Sequence, residues 1–521
     1  MKETLKERLF AFYHIDEAKY EEIIAPSTLE DFAIGHHFDR MEEAVLIVKS
    51  AMNNLKRIAI YGDYDADGIM GTSILVKMFQ YVNYPVDYYI PSRYLDGYGL
   101  TLKYAKEAVE KGVGLLITVD NGVSAFEGIE YLHNHGVQVL VLDHHTMQEE
   151  LPLADVIIHP TFSHFGEIAS SGAFTAFMFS RAFLERTDKY LAMLASISLI
   201  SDMMPLLEYN RRLLKAAFAS YKDGEFLSID LLKDGEPFNE NSIGMKIAPK
   251  INALGRMIET DEINRIVEFF VSDNKELILN YLDWINNTNE IRKDASKEAV
   301  FSLQDINEEE GAIVIIQDVK EGLLGLVANQ LCSTYHLPVV VFTKEKDGET
   351  LKGSARAPQG FNIVNAFNQL SDIELTFGGH ALAGGCSIKE SDFLIYKKRF
   401  IEIVKNTPME EYIEETIPLS LTEITFDNYE LVNSFSPFGE NWPSPTFEVK
   451  RVLSASLTYS RDNKHIMTYI GQGIKLLGFN FPKQEISEYR FIDLKGKMRT
   501  SSYRDLITLE FFIKSINESK K

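Results

Sequence analysis

The pattern of apolar and polar positions divides the chain into regions of different secondary structure. Between residues 57 and 160, short apolar runs alternate with amphipathic segments. This pattern predicts strands at 57–61, 86–90, 114–119, 137–142 and 156–158, with helices between them that include 69–81, 102–111 and 125–133. Strands that are apolar almost throughout are typical of a parallel sheet covered on both faces. We therefore predict a doubly wound parallel α/β domain.

The next region is predicted to be helical and to lead into a second α/β unit. Apolar helices are expected at 173–184 and 190–200. Residues 277–299, in which Arg292, Lys293 and Lys297 alternate with acids, have the polar faces typical of a helix that spans between domains. Strands at 312–317 and 338–342 then flank a helix at 327–335.

The last hundred or so residues differ from the rest of the chain in both pattern and charge. Six short β-type runs, at 420–425, 446–456, 466–470, 473–479, 490–499 and 506–513, predict a small β-barrel of the OB-fold type. From residue 415 onward there are 14 Lys and Arg against 13 Asp and Glu, whereas the preceding residues carry 39 against 63. This shift of charge marks a domain boundary.

These regions together give the predicted domain organisation. It consists of an N-terminal helical segment (1–44), a doubly wound α/β domain (45–260), a connecting helix (261–306), a second α/β domain (307–414) and an OB-fold-like domain (415–521). A chain of 521 residues is long enough for each larger domain to bury its own core. The net charge of −23 argues against binding polyanions over the whole surface, but it is compatible with a locally basic channel.

Cysteine content and hydropathy indicate the compartment. The two cysteines, Cys332 and Cys386, exclude a disulfide framework and a cysteine-based zinc cluster, and they suit a reducing environment. The N-terminus lacks the apolar core of a signal peptide, and no apolar run approaches the roughly eighteen residues of a membrane span. We expect a cytoplasmic protein with no membrane association.

Three carboxylates follow the first predicted strand. Asp63, Asp65 and Asp67 occupy alternate positions and precede Gly68 and an apolar helix. Ligands of open α/β sheets bind outside the carboxyl ends of the strands, and hard divalent cations prefer oxygen ligands. A metal site and a solvated acidic turn are both compatible with this segment. An EF-hand loop is excluded because an apolar helix replaces the further oxygen ligands that it requires.

Other predicted elements end in residues of similar chemistry. Asp120 follows the third strand, and Asp143, His144 and His145 follow the fourth. One such Asp is commonly a helix cap, but three clusters at one sheet edge are less readily explained in that way. Asp202 ends an apolar helix, where the helix dipole disfavours a negative charge, which suggests a fourth ligating region. The mixture of carboxylates and imidazoles suits Mn²⁺, Mg²⁺ or Zn²⁺, and its oxygen-rich balance favours Mn²⁺ or Mg²⁺.

Two further patterns each allow two interpretations. Glycines cluster in the second α/β unit near Ser354 and Arg356, and they are either a phosphate-binding surface or turn residues. Aromatic residues of the tail either stack against nucleic-acid bases or belong to the barrel core, and we expect the core for most of them. They are Tyr459, Tyr469, Phe479, Phe481 and Tyr503.

The ordered set of motifs resembles the DHH phosphoesterase superfamily. The matching segments are Asp63-Tyr64-Asp65-Ala66-Asp67-Gly68, Val119-Asp120-Asn121-Gly122-Val123, Asp143-His144-His145 and Asp202. Segments 91–93 with 97–99, 245–257, 322–328, 353–356, 378–380 and 437–441 are similar to the RecJ-type exonucleases within that superfamily. The resemblance spans about residues 40 to 510.

The resemblance implies a function and a set of site residues, and it implies that 45–260 is the catalytic domain and 307–414 the substrate-binding domain. The implied function is that of a single-strand-specific 5′→3′ DNA exonuclease of repair and recombination, which releases 5′-mononucleotides by two-metal hydrolysis. The implied ligands of two divalent ions, Mn²⁺ or Mg²⁺, are Asp65, Asp67, Asp120 (bridging), His144 and Asp202, with Asp63 as a ligand or a supporting residue. The implied catalytic residues are His145, Asp120 and His380, and the implied substrate-binding residues are Arg93, Arg256, Ser354, Arg356 and His380.

Other functions occur within the same superfamily. A DHH phosphodiesterase of short oligonucleotides or cyclic dinucleotides is the first alternative, but such relatives usually lack the C-terminal barrel. An inactive DHH scaffold of a replication complex is the second, but such scaffolds lose metal ligands that this chain keeps. A manganese-dependent pyrophosphatase is shorter and has no barrel. The expected partners are single-stranded DNA, a single-strand-binding protein and a helicase, and the protein is expected to be a monomer.

Overall fold

A computed structural model of the chain describes residues 3–31, 38–97, 99–163, 169–303, 310–409, 414–503 and 506–519. The chain divides into two compact units. The two-sheet unit comprises Leu29–Met204 and Ala217–Tyr412, and the terminal unit comprises Met1–Thr28, Pro205–Ala216 and Ile413–Lys521. Within the described ranges, no helix is both long enough and apolar enough to span a bilayer.

The secondary structure alternates strands and helices over most of the chain. The α-helices are α1 (Leu5–Tyr13), α2 (Glu17–Ile24), α3 (Met41–Asn53), α4 (Ala66–Tyr81), α5 (Leu102–Glu110), α6 (Phe126–Asn134), α7 (Gly172–Leu184), α8 (Lys189–Ser201), α9 (Glu208–Ser220), α10 (Leu227–Leu232), α11 (Glu240–Ser242), α12 (Ala248–Met257), α13 (Arg265–Val271), α14 (Lys275–Phe301), α15 (Leu324–Tyr335), α16 (Ile363–Asn368), α17 (Phe393–Asn406), α18 (Phe426–Asn433) and α19 (Lys483–Ile486). The strands are β1 (Arg57–Tyr61), β2 (Asp87–Tyr89), β3 (Val113–Val119), β4 (Gln138–Leu142), β5 (Val156–Ile158), β6 (Ile313–Ile316), β7 (Val339–Lys344), β8 (Thr350–Arg356), β9 (Glu374–His380), β10 (Ala383–Lys389), β11 (Thr416–Pro418), β12 (Thr446–Leu453), β13 (Ile466–Gly471), β14 (Ile474–Gly478), β15 (Phe491–Tyr503) and β16 (Leu506–Glu518).

The first sheet of the two-sheet unit is entirely parallel. Its strand order is β2-β1-β3-β4-β5, which confirms the predicted doubly wound domain. Strands β1, β3 and β4 are buried along almost their whole length. Helix α4 is apolar on nearly every face, and it packs against α7 and α8. Because the strands are parallel, the residues that follow β1, β3 and β4 meet at one edge of the sheet.

The second sheet of this unit is mixed. Its strand order is β6-β7-β8-β10-β9, with β6 and β7 parallel and the other pairs antiparallel. Strands β8, β9 and β10 were not predicted, because their glycines lower the β-propensity of these segments. A Cβ at Gly353 would lie 2.6 Å from the Phe342 ring, and one at Gly384 would lie 2.6 Å from the Phe367 ring. These two glycines therefore leave room for an aromatic ring of β7 and one of α16 to pack against the strands, and they are not turn residues.

The predicted connecting segment contains one long helix and two shorter ones. A 3-10 helix (Asp261–Asn264) and α13 precede α14, which has 27 residues and includes the helix predicted at 277–299. Helix α14 packs against α12 and α13 and also against α15, a helix that packs on the second sheet. It is thus the long helix that joins the two α/β parts of this unit.

The terminal unit contains a six-stranded sheet with the order β11-β12-β15-β16-β14-β13. The strand predicted at 420–425 is wrong. Leu421–Glu423 is a 3-10 helix, because the hydroxyl and backbone N–H of Ser420 both donate to Oε2 of Glu423 and start a helical turn. Helix α18 follows directly.

Four of the five aromatic residues singled out in the tail have described side chains. Tyr469 is 68% exposed and Phe479 is 49% exposed, whereas Tyr459 and Phe481 are partly buried. The expectation that most of them belong to the core is wrong for these four, since none is fully buried. The side chain of Tyr503 lies outside the described residues.

Candidate metal centre

The acidic segment after β1 is fixed at the start of α4. Oδ1 of Asp65 accepts hydrogen bonds from the backbone N–H groups of Asp67, at 2.9 Å, and Gly68, at 3.1 Å, and thereby caps the helix. Asp63 is buried against the same turn: a Cβ at position 68 would lie 2.4 Å from the backbone nitrogen of Asp63. The glycine is therefore required for this close approach.

Asp67 is held by the N-terminus of α7. Its Oδ2 accepts a hydrogen bond from the N–H of Gly172 at 2.7 Å, and its Oδ1 accepts one from the N–H of Ala173 at 2.7 Å. The hydroxyl of Ser198 in α8 donates to the same Oδ1 at 2.5 Å. These three donors hold the side chain of Asp67 in one orientation at the N-terminus of α7. Nothing in the sequence indicates this role of Ser198.

Asp120 directly follows β3 and has a left-handed backbone, with a φ of 62°. It also lies against the start of α7, where a Cβ at Gly172 would be 2.7 Å from the Asp120 Cβ. The side-chain amide of the next residue, Asn121, donates to the carbonyls of Gly62 and Val119, both at 3.0 Å. These bonds tie the carboxyl ends of β1 and β3 together and position Asp120 beside the first acidic segment.

The imidazole of His144 lies at the centre of the acids. Its Nε2 is 3.1 Å from Oδ1 of Asp120 and 3.4 Å from Oδ2 of Asp67. It is 3.6 Å from Oδ2 of Asp202, which follows α8. Residues that are far apart along the chain therefore converge at one point, as the sequence predicts for a metal centre.

Asp120 belongs to two groups of potential ligand atoms. One group consists of Asp63, Asp65 and Asp120, and another of Asp120, His144 and His145, with the atoms of each group within 4.8 Å of one another. Among the described residues, His144 is likewise shared by two groups, but it offers a single free ring nitrogen, whereas the carboxylate of Asp120 offers the two oxygens that a bridging ligand uses. We keep the assignment of Asp120 as the bridging ligand as a proposal.

Asp143, which is buried, and His145, which is partly exposed, form an ion pair at the edge of the cluster. Oδ1 of Asp143 accepts a hydrogen bond from Nδ1 of His145 at 2.8 Å, and Oδ2 accepts one from the N–H of Val123 at 3.0 Å. Burial disfavours both charges, but the mutual hydrogen bond outweighs it: the pKa of Asp143 falls to about 2 and the pKa of His145 rises to about 9. Asp143 was not among the predicted site residues, although it lies in the same motif as both histidines.

The remaining acids repel one another. Burial raises the pKa of Asp63 to about 8, and the charge of Asp65 adds to this effect. Burial and the charges of Asp67 and Asp65 likewise raise the pKa of Asp202 to about 8. The pKa of Asp120 is raised well above its usual value, by burial first and then by its acidic neighbours. Full ionisation of the cluster thus requires compensating positive charge.

Two carboxylate oxygens of the cluster lack hydrogen bonds among the described residues. They are Oδ1 of Asp63 and Oδ2 of Asp202, and both are buried. A buried oxygen without a partner is unfavourable unless a cation or another group binds it. Oxygen-rich ligands with one or two imidazoles are the donors that Mn²⁺ and Mg²⁺ take in proteins, so the residues present fit the predicted ions.

A cavity of about 410 Å³ in the two-sheet unit contains the predicted substrate-binding residues. Arg93, Arg256, Ser354 and Arg356 all line it. The charge of Arg93 lowers the pKa of Asp63, and the charge of Asp65 raises that of Arg256, so the cavity lies beside the acids. Four of the five predicted substrate-binding residues are therefore together.

His380 is the fifth predicted substrate-binding residue. It is the last residue of β9, is exposed, and pairs with Ala383 of β10, which itself lines the cavity. Within the described part of the chain, no hydrogen bond or ion pair joins His380 to the acids or to the arginines. The structure thus places His380 near the rim of the cavity and not in the acid cluster.

Neighbouring residues that the sequence analysis did not single out orient the arginines. The guanidinium carbon of Arg93 lies 4.2 Å from the centre of the Tyr64 ring. Tyr94 donates its hydroxyl to the carbonyl of Arg256 at 2.5 Å, while Nη1 of Arg256 donates to the carbonyl of Gly322 at 2.9 Å. These contacts connect the first α/β part of the unit to the second at the cavity wall.

Comparison with known proteins assigns the class. The profile of the DHH family, N-terminal domain, matches residues 57–200, which include the parallel sheet and the acids and histidines at its edge, and this assigns the domain to the DHH phosphoesterases. The profile of the DHHA1 domain matches residues 290–407, and that of the RecJ OB domain matches residues 416–515.

The chain belongs to the RecJ family within this class. It is 30% identical to the single-stranded-DNA-specific exonuclease RecJ of Haemophilus influenzae, over 98% of this chain and 95% of the relative. It is 31% identical to the Bacillus subtilis protein of the same name, over 88% of this chain and 60% of the relative. The fold matches a crystal structure of RecJ from Thermus thermophilus in complex with Mn²⁺, with a TM-score of 0.84 and 22% identity, over 99% of this chain and 76% of that one.

Proposed function

We propose that this protein is a metal-dependent exonuclease that degrades single-stranded DNA from the 5′ end and releases 5′-mononucleotides. The observation that carries the proposal is the convergence of Asp67, Asp120, His144 and Asp202 at one edge of the parallel sheet, beside an arginine-lined cavity. Membership of a family whose curated members are named single-stranded-DNA-specific exonucleases supports the choice of substrate.

Asp65, Asp67, Asp120, His144 and Asp202 would hold the two divalent ions, Mn²⁺ or Mg²⁺. When bound, such ions lower the pKa of a water molecule and stabilise the charge on the attacking and leaving oxygens of a phosphodiester. The role of Asp67 includes keeping the site assembled, because its two oxygens are fixed by α7 and Ser198.

His145 would contact the scissile phosphate. The hydrogen bond to Asp143 fixes the imidazole through Nδ1, and it favours the protonated form by raising the pKa of His145. A cationic imidazole at this position stabilises negative charge that develops on the phosphate oxygens. Mutation of Asp143 is therefore expected to act through His145, and Asp143 is a positioning residue.

The arginine-lined cavity would give the reaction its 5′→3′ polarity. Guanidinium groups bind phosphate oxygens through two parallel N–H donors, and Arg93 and Arg356 line the cavity together with the hydroxyl-bearing Ser354. A terminal 5′-phosphate held there would place the first phosphodiester toward the acids. His380, near the rim, would contact the strand close to the cleaved bond.

The two alternative functions have less support. Asp63 and Asp202 each have a buried oxygen with no hydrogen-bond partner among the described residues. Such oxygens are costly unless they bind a metal ion, and an inactive scaffold has no need for them. A phosphodiesterase of short oligonucleotides or cyclic dinucleotides does not require the additional RecJ OB domain, which matches residues 416–515. A longer strand that continues beyond the active site makes use of such a domain.

Degradation of end-labelled oligonucleotides tests the proposal. The protein is incubated with Mn²⁺ or Mg²⁺ and a single strand labelled at the 5′ or the 3′ end, in parallel with a duplex and a dinucleotide. Release of the 5′ label as a mononucleotide in the first step, with stepwise shortening of the 3′-labelled strand and release of its label last, is expected. Preferential cleavage of the dinucleotide, or equal degradation of the duplex, would refute the proposal. Asp120→Asn serves as the inactive control.

We also propose a cellular setting for the protein. The protein would act in the cytoplasm as a monomer, in DNA repair and recombination, on strands that a helicase separates and a single-strand-binding protein coats. Light scattering checks the oligomeric state, and a stimulation of hydrolysis by added single-strand-binding protein checks the partner.

A further inference from the structure

Arg292, on the long helix α14, is a charged residue to which no function has yet been assigned. Its side chain is half-buried, and Nη2 donates to Oδ1 of Asn289, one turn earlier, at 2.6 Å. Its Nε is buried and has no hydrogen-bond acceptor among the described residues. A buried N–H group without an acceptor is unfavourable, and an acceptor atom of a bound ligand would relieve this cost.

Arg292 also adds to a concentration of positive charge. The charges of Arg93, Arg292 and Arg356 all act on Arg256, and after burial they are the next causes that lower its pKa to about 10. None of the four arginines forms an ion pair with a carboxylate in the described ranges, although the protein as a whole carries a net charge of −23. Four guanidinium groups without carboxylate partners, in an acidic protein, favour binding of an anion with several charges.

The same face of α14 carries a second polar group without a partner. Ser296 lies one turn beyond Arg292, is only 9% exposed, and its hydroxyl has no hydrogen-bond partner among the described residues. Asn289, Arg292 and Ser296 are spaced by three and four positions, which places them on one side of the helix. Helix α14 packs against α12, the helix that carries Arg256.

We infer that Arg292 binds a backbone phosphate of the DNA strand next to the phosphate held by Arg256, with Asn289 holding the other edge of the guanidinium and Ser296 supplying an additional donor. This inference rests on the proposed function and extends the substrate-binding surface from the cavity onto α14. The Nε edge of Arg292 donates to a phosphate oxygen in a direction that the Asn289 contact fixes. Lysine cannot reproduce this two-edged arrangement, because its ammonium group is a single charged point.

Salt-dependent binding tests this assignment. Anisotropy of a 5′-phosphorylated oligothymidylate with a 3′ fluorophore is measured with the full chain in EDTA, so that no hydrolysis occurs, at a series of NaCl concentrations. Loss of one phosphate contact to a single strand lowers the slope of log K against log[salt] by about 0.7. We expect this change for Arg292→Met. Lys293→Met is the matched control, because Lys293 is adjacent and pairs with Glu290, and its slope is expected to equal that of the wild type.

Arg292→Lys provides a second test in case the methionine variant does not fold. It keeps the charge, so its slope is expected to stay near that of the wild type while its affinity falls. A wild-type slope in Arg292→Met, a wild-type affinity in Arg292→Lys, or an equal loss of slope in Lys293→Met would each overturn the assignment of Arg292. Absence of strand binding by the wild type would instead refute the proposed function, and the assignment with it.

Discussion

The hydroxyl of Ser198 lies 2.5 Å from Oδ1 of Asp67 and joins helix α8 to the acidic segment after β1. The same hydroxyl lies 2.5 Å from the hydroxyl of Ser171, the residue that caps α7. Since α7 and α8 hold Asp67 from two sides, the orientation of this carboxylate depends on how both helices pack. Asp202 follows α8, so the helix that orients one proposed ligand also carries another.

Ser198→Ala is therefore expected to weaken divalent-ion binding. A hydrogen bond to a charged acceptor contributes about 1.5–3 kcal/mol, and loss of a group that orients a metal ligand typically lowers metal affinity by roughly 10- to 100-fold. The measurement is the Mn²⁺ concentration at half-maximal stabilisation against thermal unfolding. Ser196→Ala is the control, because Ser196 is equally buried in α8 but donates to the carbonyl of Ala192 in its own helix. Equal Mn²⁺ affinities for the two variants would contradict this prediction.

Asp120→Asn is expected to have opposite effects on stability in the absence and the presence of metal. In EDTA at neutral pH the variant should unfold at a higher temperature than the wild type, because burial and neighbouring acids disfavour the Asp120 carboxylate, as its raised pKa indicates. With Mn²⁺ the wild type should gain stability and the variant should gain little. Calorimetry in EDTA and in Mn²⁺ measures both effects. A variant that is less stable in EDTA and responds normally to Mn²⁺ would show that Asp120 has only a structural role.

Much of the first sheet could be predicted, because its signals are local. The apolar runs that form β1, β3 and β4 are followed within the sequence by the acids and imidazoles that meet at the sheet edge. Parallel pairing then determines that these residues lie close together, since the carboxyl ends of parallel strands share one edge. The convergence of Asp67, Asp120 and His144 follows from that rule.

Contacts made by helices remote in sequence could not be predicted in this way. Ser198 is one of several small polar residues in an apolar helix, and only the packing of α8 against α4 brings it to Asp67. The glycines of β8 and β10 do not by themselves favour a strand. Small residues are needed at these positions because the rings of Phe342 and Phe367 occupy the space that a side chain would fill, and the sequence does not show that contact. In the same way, Arg292 has no feature in the sequence that distinguishes it from the exposed lysines of α14.

Tyr64 is expected to affect substrate binding through Arg93. Its ring lies beneath the guanidinium at 4.2 Å, and such a contact contributes about 0.5–2 kcal/mol. Tyr64→Leu should raise KM for single-stranded DNA by roughly 2- to 30-fold, with a smaller effect on kcat, because the arginine loses its preferred orientation. Tyr64→Phe keeps the ring and is the control. Steady-state kinetics on a single-stranded oligonucleotide measures both variants, and equal KM values for leucine and phenylalanine would contradict a positioning role.

Glu374, in the second sheet, is expected to make the stability of the protein depend on pH. This residue is 8% exposed, Oε1 accepts a hydrogen bond from the hydroxyl of Tyr396 at 3.0 Å, and Oε2 has no partner among the described residues. Burial raises its pKa to about 7. Because the folded protein binds this proton more tightly than the unfolded chain does, its contribution to stability is largest below the ordinary pKa of 4.5 and is lost as the pH rises through 7.

Glu374→Gln cannot ionise and should not show this loss. Relative to the wild type, the free energy of unfolding of the variant should therefore increase between about pH 5 and pH 8, by at most about 3 kcal/mol from the size of the pKa shift. Urea unfolding at the two pH values measures the change. The difference in free energy of unfolding between the variant and the wild type is compared at the two pH values, which removes any constant effect of burying an amide. Glu402→Gln, which alters an exposed acid of α17, is the control and should follow the wild type. A difference between Glu374→Gln and the wild type that stays constant with pH would mean that Glu374 remains ionised throughout, and that the surroundings of Tyr396 solvate its charge.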